Sequence, residues 1–265
     1  MKLVPFVKAT ACGNDFLLVE TGAVGGDRME FTRRICDRNH GVGADGVEWL
    51  APSATADLKI DLINADGSPA EISGNGTRCA AAHWISGKLA DQVTIETGAG
   101  VKLCKLTRRS DPEFEFETEM GPAQVGEART VALKTGRATG IPVSTGNPHF
   151  VMFVDDFPVN WQQQAAEIGV HPDFPEGVNV ELVKASGNSG DSILLRIFER
   201  GAGETQSSGT GSCAAAVAAI ASGRASSPVR IIAPGGAQTV RWEKGEICLS
   251  GPARLICRGE FLWAN

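Results

Sequence analysis

The chain is written twice. Residues 73–82 read SGNGTRCAAA and residues 208–216 read SGTGSCAAA, one residue shorter. An acidic approach precedes each: GSPAEI before the first and GAGETQS before the second. A second pair of landmarks lies upstream, CGNDFLLVE at 12–20 and TGNPHFVMFVDDF at 145–157. Asn14 stands nearly as far before Ser73 as Asn147 stands before Ser208. Two landmarks in one order at one spacing point to two homologous halves related by a pseudo-two-fold axis. The expected division is 1–120, joined by a last strand at about 255–265, and 121–254. The join falls in GPAQVGEARTVALKTGRATG (121–140), where apolar alternation breaks down.

Within each half the pattern is strand-rich. KLVPFVKA, LKIDLINADG, VTIETGAG, VKLCKL and EFEFETEM alternate or carry β-branched runs, as do HFVMFVDD, GVNVELVKA, SILLRIFER, VRIIAPGG and EICLSG. Each half then has one helix, CAAAHWISG or CAAAVAAIASG, opened by its Gly turn and closed by glycine. Small residues all round such a helix predict burial with other elements packed close on every side. The expected fold is therefore α+β: two pseudo-symmetric halves, each a mixed, mostly antiparallel sheet wrapped around a central helix. GADG (43–46) and NADG (64–67) read first as hairpin turns, because Asp-Gly suits that geometry.

Ser-Gly-x-Gly running into a buried helix is also a chemical device. Glycines let backbone N–H groups approach a ligand, and a helix N-terminus favours negative charge. One such motif is most simply a helix cap. Two matched motifs point instead to a carboxylate held between the helix N-termini that follow Gly76 and Gly211. His149 lies in a turn-like stretch after Asn147, where a lone histidine reads as structural. Glu199 and Arg200 end a strand before a Gly-rich loop, where a surface ion pair and a functional pair are equally good readings. No Walker A loop and no nucleophile elbow is present.

Composition narrows the partners. A formal charge of −6 argues against nucleic acid, which calls for a basic patch. No apolar run reaches the ~20 residues of a membrane span, and the first residues lack a secretory h-region, so a cytoplasmic protein is expected. Seven scattered cysteines without a CxxC pair fit reduced thiols, and four histidines without HExxH spacing make no metal centre. An assembly of such chains is expected to be a homodimer or a larger symmetric form, since most oligomers are symmetric.

Across essentially its whole length the sequence resembles the diaminopimelate epimerases. The motifs are GNDF (13–16), GVGADG (41–46), NADGSPAE (64–71), GNG (74–76), GNPH (146–149) and ERGAGETQ (199–206). The resemblance implies two α/β halves with the active site in the cleft between them, and dimers. It implies inversion of one stereocentre of 2,6-diaminopimelate, in the interconversion of its LL and meso forms for lysine and cell-wall precursor synthesis, with neither pyridoxal phosphate nor metal. It implies substrate contacts for Asn14, Asn64, Asn147, Asn179 and Arg200, and for the backbone at Gly74–Asn75 and Gly209–Thr210. His149 and Glu199 would support the reacting centre.

Ser73 and Ser208 stand where the family has its two catalytic cysteines, one for each face of the substrate; Cys79 and Cys213 lie inside the helices and replace neither. A thiol titrates near ~8.5 and lower beside a helix N-terminus, whereas an alcohol needs an adjacent base to ionise. Three readings follow. The chain is an epimerase or racemase that uses the serines with His149 or Glu199 as proton relay; or, by design or by natural loss, it only binds an amino acid; or it runs a related isomerase or dehydratase reaction that needs one base.

Overall fold

The computed structural model describes residues 2–134, 136–187 and 190–264. The chain forms two compact units, Met1–Thr118 with Ser250–Asn265, and Glu119–Leu249.

In unit 1, β1 (Lys2–Ala11) and β2 (Asn14–Glu20) pair antiparallel. The connecting Cys12 and Gly13 both have positive φ, 51° and 80°, which matches the right-handed twist of a two-residue hairpin. Then come α1 (Arg28–Cys36), β3 (Gly46–Ala51), β4 (Leu58–Asn64) and β5 (Pro69–Ala70). They lead into α2 (Gly74–Ser86), β6 (Gln92–Thr97), β7 (Gly100–Ser110) and β8 (Glu113–Pro122), a strand that runs past the unit boundary. Strand β3 lies parallel to β2, and β6 parallel to β4. Strand β1 pairs antiparallel with β2 and with the last strand of the chain, and β3–β4, β4–β5, β6–β7 and β7–β8 are antiparallel.

Unit 2 repeats that plan. After β9 (Gln124–Val125) and β10 (Arg129–Leu133) come β11 (Gly136–Ser144), β12 (Pro148–Phe153), α3 (Trp161–Gly169), β13 (Asn179–Ala185), β14 (Ser192–Glu199) and β15 (Gly203–Thr205). The order closes with α4 (Gly209–Ala221), β16 (Val229–Ala233), β17 (Gly236–Glu243) and β18 (Glu246–Trp263), whose last part belongs to unit 1. Here β13 is parallel to β12 and β16 to β14, matching the two parallel pairs of unit 1. The mixed, mostly antiparallel α+β architecture expected from the repeat is the one observed.

The helices explain why each half closes on itself. Cys79 to Ala82 and Ile85 on α2, and Cys213 to Ala219 on α4, are completely buried. Side chains this small let strands pack on every face of a helix, which a Leu-rich helix would hold apart. Each helix sits in its own apolar cluster with the inward residues of the surrounding strands.

Four local expectations change. The SGNG and SGTG glycines form the first turn of α2 and α4, not a turn before them, so the helices begin at Gly74 and Gly209. NADG does turn β4 back onto β5, but GADG joins α1 to a strand parallel to β2 and makes no hairpin. Residues 121–140 hold an antiparallel ladder of β10 and β11; alternation fades there because most of its side chains are solvent-exposed. Finally, α1 and α3 cover the outer faces of their sheets, where short amphipathic helices gave too brief a pattern to separate from loop.

Candidate active site

Both cap serines do the same structural job. Ser73 has extended backbone and its Oγ accepts the Gly76 N–H at 3.1 Å; Ser208 is extended as well and accepts the Gly211 N–H at 3.2 Å. Each hydroxyl therefore satisfies one otherwise unpaired helix donor and sits on the positive end of the helix dipole. Ser208 is buried; Ser73 is half-buried.

Around Ser208 the residues named from sequence form one connected network. Its hydroxyl contacts that of Thr210 at 3.4 Å, which accepts from Asn147 Nδ2 at 3.4 Å. The Asn147 Oδ1 is 2.8 Å from His149 Nε2, and His149 Nδ1 is 2.7 Å from Glu181 Oε1. His149 is thus no turn residue: it is the second residue of β12 and is buried. An amide oxygen only accepts, so the imidazole carries its proton on Nε2, and one further proton is shared between Nδ1 and the Glu181 carboxyl. Burial pushes the Glu181 carboxyl up, with His149 pulling it back. Glu199 ends β14, and its carboxyl is also raised by burial, countered first by the Ser208 hydroxyl. Two carboxyls whose hold on a proton is strengthened by burial therefore lie beside one cap serine, a setting typical of acid–base groups.

Ser73 has different company. Asn14 donates to Asp45 Oδ2 at 2.6 Å and accepts from Asn75 Nδ2 at 3.1 Å. Asn75 in turn accepts from the fully buried Arg78 at 2.5 Å. Arg38 bonds both Asp15 and Asp45, at 2.7 and 2.8 Å. Burial alone would raise the Asp15 carboxyl, but Arg38 and Lys8 outweigh it and hold it below the usual range. Asn64 donates to Ser68 Oγ at 3.1 Å and lies at the end of β4.

Asn179 and Arg200 belong to another corner of unit 2. Asn179 donates to the Pro148 carbonyl at 2.9 Å and accepts the Arg200 backbone N–H at 2.9 Å. The Arg200 guanidinium donates to the Glu176 carbonyl at 2.6 Å, its chain lying against Gly177, where φ is +74° and a Cβ would be 2.8 Å from Arg200 Cδ. The Glu199–Arg200 ion pair considered from sequence is not among the ion pairs of the described residues. Among those residues no cluster of His, Cys, Asp and Glu is suited to a metal ion, and no helix is long and apolar enough to cross a membrane.

Two residues of this neighbourhood were missed in the sequence, Glu48 and Glu181. Both are fully buried and press on the first turn of the adjacent helix: Glu48 on Gly76, Glu181 Oε1 on Gly211, where a Cβ would be only 2.8 Å away. A single acidic residue on the core-facing phase of an apolar strand, in GVEWLA and NVELVKA, was the available signal.

The diaminopimelate epimerase family model matches residues 6–126 and 141–256. A diaminopimelate epimerase of Methanothrix thermoacetophila is 37% identical, over 98% of this chain and 96% of that protein. One from Sphingopyxis alaskensis is 38% identical, over 98% of each. In fold, the chain is similar to the crystal structure of a hydroxyproline epimerase from Agrobacterium vitis. The TM-score is 0.75 at 16% identity, over 98% of this chain and 92% of that one. The chain belongs to the diaminopimelate epimerase family. That makes it a protein of the isomerase class, from a family of amino-acid epimerases.

Proposed function

We propose that this chain interconverts LL- and meso-2,6-diaminopimelate by two-base proton transfer, without a cofactor, in the cytoplasm and as a homodimer. The observation that carries the reading is the matched pair of caps. Each unit wraps its strands around a helix whose first turn holds a serine hydroxyl on its third N–H. Such a helix N-terminus is a ready anion site, suited to the substrate α-carboxylate. In unit 2, Glu199 is the group that would take the proton of Ser208, and the Glu181–His149 pair would hold Asn147 and Thr210 in place. Removing an α-proton needs a positioned base, and a hydroxyl supplies one only when a neighbour accepts its proton.

The test is deuterium uptake at the α-carbon of LL-diaminopimelate in heavy water, with chiral analysis of the product and calorimetry of binding. Exchange together with inversion supports the epimerase. Binding without exchange favours the second reading, an amino-acid-binding protein, which the replacement of both thiols by hydroxyls recommends. Neither binding nor exchange sinks both. Arg200, with Asn64, Asn147 and Asn179, is assigned to the distal amino-acid group. Arg200→Met should therefore weaken diaminopimelate at least about tenfold and leave alanine binding unchanged, the loss of a charge-assisted contact being worth ~1.5–3 kcal/mol. Equal losses for the two ligands would remove Arg200 from that role.

A further inference from the structure

Glu48 is fully buried, and neither of its carboxyl oxygens has a hydrogen-bond partner. Leaving a carboxyl in this state is costly, so its position calls for a reason. On β3, Val47 and Trp49 face the cluster under α1, so the two-residue alternation turns Glu48 towards α2. There its carboxyl lies so close to Gly76 that a methyl group on that residue would overlap it. The Ser73 hydroxyl holds the N–H of the same Gly76. Carboxyl and hydroxyl thus flank one residue of the helix.

The repeat sharpens this. Glu48 follows Asn14 by 34 positions (48 − 14), and Glu181 follows Asn147 by the same number (181 − 147). Their registers agree, Leu18 opposite Glu48 and Val151 opposite Glu181. The surroundings do not. Where unit 2 has His149 on β12, unit 1 has Phe16 on β2. Where Glu199 stands nine positions before Ser208 (208 − 199), Asn64 stands nine before Ser73 (73 − 64). Neither a phenyl ring nor an amide exchanges a proton near neutral pH. Glu48, pressed on the first turn of α2, does.

Resting on the epimerase reading above, we propose that Glu48 is the proton store of unit 1, a positioning residue that acts through Ser73. In one direction the Ser73 O–H bond breaks as its proton passes to the α-carbanion, and the Glu48 carboxyl, out of direct hydrogen-bond reach in the resting chain, returns a proton to Ser73 Oγ through one water, ending as carboxylate. In the other, Ser73 Oγ takes the α-proton while its own proton passes through that water to the Glu48 carboxylate. Charge and atoms balance, and no electrons are transferred. The charged group that bears on the store is Asp61 of β4; on α2 Cys79 feels Glu48 and also Arg78, Cys12 and Asp15, and β2 presents Leu18. Burial first and Asp61 second push the Glu48 carboxyl up to about 8, so both of its protonation states are within reach of neutral pH.

Two measurements decide the proposal. In protein labelled with carboxyl-13C glutamate, one resonance should titrate with a midpoint near 8, vanish in Glu48→Gln, shift in Ser73→Ala and return in Ser73→Thr. If the resonance that Glu48→Gln removes has no raised midpoint, or if Ser73→Ala leaves it unmoved, the proposal fails whatever the activity of the chain. Deuterium exchange into LL-diaminopimelate should fall at least about tenfold in Glu48→Gln, with KM within about twofold and the pH limb near 8 lost. An unchanged rate and limb would overturn it. If the parent neither binds nor exchanges diaminopimelate, the epimerase reading falls separately, while the titration still reports on the Glu48–Ser73 coupling.

Discussion

Units 1 and 2 share a topology down to strand register, and differ in what they place around the cap serine. In unit 2 a continuous chain runs from Glu181 through His149, Asn147 and Thr210 to Ser208, with Glu199 alongside. In unit 1 the corresponding positions hold Asn14 and Asn75, tied to Arg78 and Asp45, and a buried carboxyl with no partner. The asymmetry suits a reaction in which one half gives up a proton while the other takes one. Duplication supplied two equal frames, and the chemistry differentiated them through side chains on matched strands, since changing those leaves the sheet pairing intact.

The largest expected effect comes from erasing the difference at the reacting atoms. Ser73→Cys with Ser208→Cys should raise α-deuterium exchange and inversion of diaminopimelate by roughly 10²–10⁴-fold, the usual scale for a positioned acid–base group. Each thiol would sit on a helix N-terminus with an N–H already aimed at it, which favours the thiolate. Because each serves one face of the α-carbon, either single change should restore little inversion, and at most one-sided exchange. A double variant that binds the substrate but exchanges no faster than the parent would show that the frame lacks more than its thiols.

A second effect reads the two buried glutamates through pH. Glu48 is lifted to about 8 in the folded chain from an ordinary value of 4.5. Below 4.5 the carboxyl is protonated in both states and its burial carries no ionisation cost. As pH rises from there the unfolded chain ionises and the folded one does not, so stability falls until about 8 and then levels off. At 1.36 kcal/mol per pKa unit this amounts to roughly 5 kcal/mol at most. Glu48→Gln should flatten that part of the profile in denaturant titrations between pH 4.5 and 8. Glu181 is raised by burial as well, with His149 opposing the shift, so Glu181→Gln should change the profile in the same direction while also removing the bond to His149. A parent profile already flat over this range would mean that Glu48 ionises freely when folded.

The contact of each glutamate with its helix gives a smaller contrast. Gly76→Ala places a methyl group on the Glu48 carboxyl, and Gly211→Ala places one 2.8 Å from Glu181 Oε1. Both should destabilise, by about 1–3 kcal/mol, and Gly76→Ala by more. Truncating Glu48 to Ala should recover most of the Gly76→Ala loss, a coupling readable by a double-mutant cycle. Additive losses would place the crowding elsewhere.

The fold was legible because its signals are local and repeated: the doubled Ser-Gly-x-Gly, strands of plain alternation, and two helices of small residues. The site was half legible. Ser208, Asn147, His149, Glu199 and Thr210 were all marked by motifs, and they do converge at one helix end. Glu48 and Glu181 escaped because a single acidic residue within an apolar strand looks like an outward-facing position until the phase of the strand is compared with its neighbours. Asn179 opens β13, and its amide binds the Pro148 carbonyl and the Arg200 N–H, a pairing across strands that no spacing encodes. Hydrogen bonds such as Asn75 to Asn14 likewise depend on register, and register is set by the whole sheet.

The smallest effect tests whether the serines are caps or something more. Replacing a capping serine by alanine removes one acceptor from the helix N-terminus and costs about 1 kcal/mol. On capping alone, Ser73→Ala and Ser208→Ala should destabilise alike, since their bonds to Gly76 and Gly211 are of nearly equal length, 3.1 and 3.2 Å. Ser208 also touches Thr210 and faces Glu199 in a buried setting, whereas Ser73 is half-buried and open to water. Its loss leaves Glu199 without the hydroxyl that offsets its desolvation, so Ser208→Ala should cost about 1 kcal/mol more than Ser73→Ala. That excess should fade at low pH, where Glu199 is protonated and no longer needs the hydroxyl. Urea denaturation of both variants across the pH range in which the chain stays folded measures it. Equal losses throughout that range would reduce the two serines to caps and remove Glu199 as the proton partner of Ser208.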